Sequence, residues 1–190
     1  MNINYFENEE FSGNNFKEKP LLNGEYESCV FVNCNFTNTE LSSFTFSECE
    51  FINSDLSNAK LKNTTFRDCI FNNCKLLGLR FDECNSFLLS FTFKDCVLNF
   101  SSFYNLKIRK TSFDHCKIEQ VDFVNSDISE AKFYKCDLSG SIFDNTNLQK
   151  ADFSKAFNFS INPENNKLIG AKFSSDSLAG LLEKYKLIIK

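Results

Sequence analysis

Nine cysteines, a single histidine and a recurring aspartate are the residues of this 190-residue chain whose chemistry could be put to work. Thiols could bind a metal, close disulfides or attack an electrophile, but each role needs a defined grouping and, for the last, a stabilised thiolate. The paired Cys/His spacing of a zinc site is absent, and an odd cysteine count in a chain expected to be cytosolic argues against bridges. His115 lies between Asp114 and Cys116 with no nucleophile or orienting partner in sight, which a general base would need. Asp122, Asp127, Asp137 and Asp152 recur at multiples of five, the mark of a repeat rather than of a catalytic pair. Six glycines in no cluster give no phosphate-binding loop. An enzyme is not expected, and neither a metal nor a cofactor is implied.

The spacing of the cysteines leads to the elements that hold them. Residues 121–155 divide into VDFVN, SDISE, AKFYK, CDLSG, SIFDN, TNLQK and ADFSK, with Phe or an aliphatic residue at every third position and a small residue at every first. Neither a helix nor a strand keeps a period of five on one buried face. The same central position runs from Phe6 through Phe11, Phe16 and Leu21 to Phe81 without exception. It resumes two residues out of phase from Phe93. Leu88 fits the new phase, so the slip is expected within 82–87 (DECNSF), as a bulge or short loop.

Residue identity recurs best at twenty: 11, 31, 51 and 71 are all Phe, as are 93, 113, 133 and 153. Four fives per repeat imply a coil with four sides, stacked on the next coil at strand spacing, about 4.8 Å. About seven and a half coils would then make a rod of roughly 36 Å. The central residue and the small residue two before it should point inward. Cys29, Cys34, Cys49, Cys69, Cys74, Cys96, Cys116 and Cys136 all take the small position, and Cys84 does so in the earlier phase; buried free cysteine behaves as a small hydrophobe. Cys29, Cys49 and Cys69 should stack at coil spacing, within disulfide reach in distance alone.

ADFSK, SDLSN and CDLSG match the A(D/N)LXX consensus, and on these units the chain resembles the pentapeptide-repeat proteins over about residues 4–155. The resemblance implies an all-β solenoid, a right-handed quadrilateral β-helix, here assigned to 1–160 with a closing turn, helix and apolar tail over 161–190. Asn4, Glu9, Asn14 and Lys19 at the first small positions suggest a distorted first coil acting as a polar cap. At the other end Leu178, Leu181, Leu182 and Tyr185 fall at i, i+3, i+4, i+7. That spacing predicts a short helix with Ser and Asp at its start, followed by Leu187, Ile188 and Ile189 as an extended apolar end.

The layout of SINPENNKLIGAKF leading into this tail is similar to the bacterial topoisomerase-protecting pentapeptide-repeat proteins, which include the quinolone-resistance (Qnr) group, MfpA and McbG. That resemblance implies a homodimer joined through Leu178, Leu181, Leu182, Tyr185, Leu187, Ile188 and Ile189. It also implies binding to DNA gyrase or topoisomerase IV by mimicry of duplex DNA, or by displacing a drug or toxin. The chain differs in having no long projecting loop and in concentrating its acidity near the start. Residues 1–60 carry ten Asp/Glu against three Lys/Arg, and the remainder fifteen against eighteen. Such a balance excludes a general nucleic-acid binder and permits an acidic face toward a basic partner. Glu25, Glu27, Glu40, Glu48, Glu50 and Asp55 are the candidates for that contact. A generic interaction scaffold with no topoisomerase role is the alternative. Val30, Val32, Ile52 and Ile70 should form a modest outward apolar patch on one side. The opening MNINYFENEE has no apolar core of a signal peptide, and no run of eighteen apolar residues is present, so a cytoplasmic protein is expected.

Overall fold

A phenylalanine every twenty residues makes a column of rings only if the chain climbs one strand spacing per circuit, and this is what it does. In a computed structural model, which describes residues 4–188, Phe11, Phe31, Phe51, Phe71, Phe93, Phe113, Phe133, Phe153 and Phe173 stack face to face with centroids 4.8–5.4 Å apart. Rings on adjacent sides meet edge-on, as Phe31 does with Phe46 at 5.9 Å, the arrangement that aromatic quadrupoles favour.

The chain is a parallel β-solenoid with four sides. The first side carries β1 (Asn4–Glu7), β3 (Gly24–Glu27), β5 (Thr45–Ser47) and β7 (Thr65–Arg67), in that spatial order. The second carries β2 (Glu10–Ser12), β4 (Val30–Val32), β6 (Glu50–Ile52), β8 (Cys69–Asn72), β9 (Phe91–Lys94), β10 (Ser112–Asp114) and β11 (Lys132–Tyr134). The third and fourth sides are held by single parallel bridges, such as Asn35 to Asp55 and Glu40 to Lys60. All pairing is parallel and in register. Most corners turn on a residue with positive φ, for instance Asn53 (51°), Asn73 (53°) and Asn125 (60°). Asparagine tolerates that region better than most residues, which accounts for its frequency in the outward positions.

The phase slip is two residues, as the spacing indicates, but the segment that departs from the ladder runs past Phe87 to Ser90. Across it β8 pairs with β9 as Phe71 to Phe93, twenty-two residues on instead of twenty, and Lys75 to Val97 keeps the same offset. The extra residues leave on the first side. After a single 3₁₀ turn at Phe81–Glu83, the Asn85 amide bonds the Thr64 carbonyl at 2.9 Å and the Ser90 amide bonds that of Phe66 at 3.1 Å, so the loop is pinned at both ends to the coil before it. Leu88, which by phase should point inward, is instead exposed at φ 56°. Leu89 and Phe91 are buried in its place. With only two residues to insert, the loop cannot both protrude and keep the old inward position, so the ladder of the first side stops at β7 and resumes with Lys107 to Asp127.

Two expectations for the ends need correction. The first coil is regular on three sides: Phe6 stacks on Tyr26 at 4.7 Å, Phe11 on Phe31, and Asn15 bridges Asn35. Glu9 and Asn14 are exposed. Only its fourth side is lost, at the Lys19-Pro20 turn. At the C-terminus Leu168 and Phe173 do close a partial coil, with Lys167 and Lys172 bridging the coil before. The tail beyond them is not an α-helix but two 3₁₀ segments, Ser175–Leu181 and Glu183–Tyr185. Neither has a side-chain cap. The physical reason is a close approach: a Cβ on Gly180 would lie 2.3 Å from the Phe159 carbonyl oxygen. The tail is thus laid flat across the end of the solenoid, with the Ile161 amide bonding the Gly180 carbonyl at 2.9 Å. No helix among the described residues is long and apolar enough to cross a membrane.

Candidate partner-binding surface

Because central and small residues face in, only three residues per side, with the corners, remain to meet a partner. The thiols are spent on the core. All nine cysteines are free and buried, and several donate to the carbonyl of a central residue one coil back, as Cys34 does to Phe11 at 3.2 Å and Cys74 to Phe51 at 3.2 Å. Ser54, Thr64 and Ser101 do the same. His115 sits on the surface with Nδ1 2.7 Å from Asp114 and its ring edge-on to Tyr134. Among the described residues no group of three or more His, Cys, Asp or Glu is placed to hold a metal.

The six candidate carboxylates do not form one group. Glu25 and Glu27 lie exposed on β3, Glu48 on the corner after β5, and Glu50 on β6. These four share the first side, the second side and the corner between them. Glu40 is on the fourth side bridged to Lys60, and Asp55 on the third bridged to Lys75; a lysine in the next coil of the same column offsets each. Spacing along the chain could not separate these two from the others, since that needs the assignment of each five to a side.

The same assignment adds carboxylates that position along the chain did not single out. Over the first four coils the first two sides hold Glu7, Glu9, Glu10, Glu25, Glu27, Glu48, Glu50 and Asp68 against the single cation Arg67. Glu7 and Glu27 are direct register partners. Glu27 also accepts a 2.7 Å bond from the Tyr5 hydroxyl, and that bond holds the Tyr5 phenol up at about 12. Beyond the loop the sign reverses. On the first side stand Lys107, Arg109, Lys110, Lys150 and Lys167 against Asp127 and Glu130. The Val30, Val32, Ile52 and Ile70 patch is on the second side, half-buried except for the exposed Ile70.

Two pentapeptide-repeat family models match the chain, one described as a pentapeptide repeat region over residues 64–143 and one as eight copies of the repeat over 29–68. Together with the four-sided solenoid they settle the family. The chain is a pentapeptide-repeat protein. Its right-handed quadrilateral β-helix is similar to that of a trypsin-treated form of QnrB1, a plasmid-mediated fluoroquinolone resistance protein, with a TM-score of 0.59 and 17% identity over 98% of this chain and 92% of that one. It is equally similar to HetL, a pentapeptide-repeat protein involved in heterocyst differentiation regulation in the cyanobacterium Nostoc: TM-score 0.59, 16% identity, 90% and 85% covered. No curated sequence matches significantly.

In this pentapeptide-repeat protein the residues expected to join two copies lie around the 3₁₀ tail. Leu181 packs against the core, whereas Leu178, Leu182, Tyr185, Leu187 and Ile188 are exposed, Ile188 at 89%. Ile189 lies outside the described residues. Tyr185 does not complete an apolar helix face as its spacing suggested. Its hydroxyl bonds Glu164 at 2.8 Å, and Lys184 pairs with the same carboxylate, which ties the tail to the 163–165 turn.

Proposed function

We propose that this pentapeptide-repeat protein binds a bacterial type II topoisomerase, DNA gyrase or topoisomerase IV, as a rod presenting carboxylates where the enzyme expects duplex phosphates, and so protects it from a quinolone or a toxin. The observation that carries the reading is the row of carboxylates on the first two sides of the early coils. Like charges directly opposite one another in a ladder cost stability, and Glu7 over Glu27 is such a pair. A cationic partner would offset that cost, and a rigid rod holds the charges ready for a basic groove. The exposed leucines and isoleucine of the tail support a homodimer joined end to end, since an apolar patch on a two-fold axis is covered by its own copy. The fluoroquinolone-resistance role of QnrB1 makes gyrase the enzyme to assay first.

A second reading has its own support. The basic character of the later coils breaks the resemblance to a uniformly charged duplex, and HetL, with the same TM-score, is described as acting in developmental regulation. Under that reading the rod is a scaffold for other proteins. Supercoiling by gyrase and relaxation by topoisomerase IV, each with and without a quinolone, separate the two. Relief of quinolone inhibition that fades as salt is raised is expected for the first. No effect on either enzyme leaves the scaffold.

A further inference from the structure

The first side of the solenoid reads, from one end to the other, acidic, apolar, basic. Glu25, Glu27 and Glu48 stand at the early end, and Lys107, Lys110 and Lys150 at the late end, all exposed. Between them, about midway along the rod, the slip loop carries Phe87 at 68% and Leu88 at 56% exposure. Turned end for end about the loop, coils equally distant from it face each other: Glu25 and Glu27 meet the coil of Lys150, Asp68 and Arg67 meet that of Lys107, Arg109 and Lys110, and the two loop tips meet on the axis, while Glu48 faces the coil of Asp127 and Glu130. A two-fold contact demands self-complementarity of a single surface patch. An apolar centre within a charged rim is also the usual anatomy of a protein interface. Nothing in the coil requires Phe87 or Leu88 to be apolar, because Leu89 and Phe91 already fill the core at the slip.

We infer that the first side binds a second copy of this chain, the two rods lying antiparallel, side by side, with Phe87 and Leu88 at the two-fold axis. This contact is separate from the C-terminal one and uses none of its residues. It has a consequence for any basic target: two rods paired in this way withhold the carboxylates of the first side, so self-association and partner binding compete. Both should weaken with salt, because the charges are exposed and screened beyond about 10 Å at 0.1 M.

The test uses the full chain with L182D and I188D, which removes apolar surface from the tail without touching the core. Light scattering at about 0.01 M ionic strength should show a dimer that dissociates at about 0.5 M salt. Adding E25K and E27K should give a monomer, as should adding K107E, K110E and K150E instead. Mixing the two reversed chains should restore a dimer containing one of each, and F87S with L88S should weaken the unreversed dimer at least tenfold. Circular dichroism of each variant guards against loss of fold. A well-folded parent that stays monomeric at low salt overturns the inference, as does any well-folded set in which the reversals leave the mass unchanged or the mixture fails to pair.

Discussion

A small inward residue two before each central one has a second task besides fitting. Where it is Cys, Ser or Thr, its hydrogen commonly reaches a backbone carbonyl, either in the previous coil, as from Cys136 to Phe113 at 3.4 Å and from Thr146 to Phe123 at 2.9 Å, or in its own, as from Ser126 to Phe123 at 2.7 Å. A buried donor with a partner costs little, and one without costs about 1–3 kcal/mol, so polar residues are tolerated there with such a bond, and elsewhere the position is filled by apolar residues such as Ala131, Val121 and Leu79. Burial pushes Cys49 up to about 12. Cys96 is also at about 12, chiefly through the bond with Cys116. An unfolded chain releases these protons near pH 8.5. Above that pH the unfolded state binds fewer protons than the folded one, and the stabilisation, complete below it, is lost as pH rises. Melting temperature should therefore be flat through neutrality and fall above about pH 9, and C49S should soften the fall. A thiol reagent should label none of the nine cysteines until the chain unfolds.

At the scale of the element, the slip shows which interactions define a coil. The first side gives up a strand there, yet the second, third and fourth sides carry their ladders across it, from Phe71 to Phe93, Lys75 to Val97 and Arg80 to Ser102. Phe91 takes the place of the missing side, with its ring 5.1 Å from Phe81 and 5.4 Å from Phe93. Truncation to alanine there should cost roughly 3–5 kcal/mol, whereas L88S, at the exposed tip, should change stability by less than about 0.5 kcal/mol. Denaturant unfolding of the two variants checks both. Equal effects would mean that the loop, not the residue after it, fills the core.

For the whole molecule the two ends differ in kind. The early end opens on a cavity of about 370 Å³ lined by Phe6, Phe11, Phe16 and Tyr26 among others, while the late end is closed by the 3₁₀ tail, which covers Phe159 and leaves Leu178, Leu182 and Leu187 outward. An edge left open invites addition of another chain, and a closed but apolar end invites a copy of itself. Deleting residues 178–190 should leave a monomer by light scattering at physiological salt, and a full-length monomer at micromolar concentration would exclude the end-to-end dimer. Because L182D and I188D act on exposed positions, they should reproduce the deletion without loosening the last coil.

Everything that depends on the period was legible in the chain alone: the four-sided coil, the inward cysteines, the Phe columns and the existence of a slip. A period of five with a fixed inward position leaves the backbone one way to stack. Three matters waited for the folded molecule. Leu88 was in phase and still pointed out, because anchoring of the loop by Asn85 and Ser90 decides its direction, not its count. The tail had an α-helical spacing and became 3₁₀, laid against the last coil where Gly180 passes close to the Phe159 carbonyl. Most of all, the six acidic candidates were neighbours in the sequence, but a residue's side is fixed by its position modulo twenty. Glu40 and Asp55 therefore left the group, Glu7, Glu9, Glu10 and Asp68 joined it, and a charge imbalance along the chain became an acidic half and a basic half of one surface.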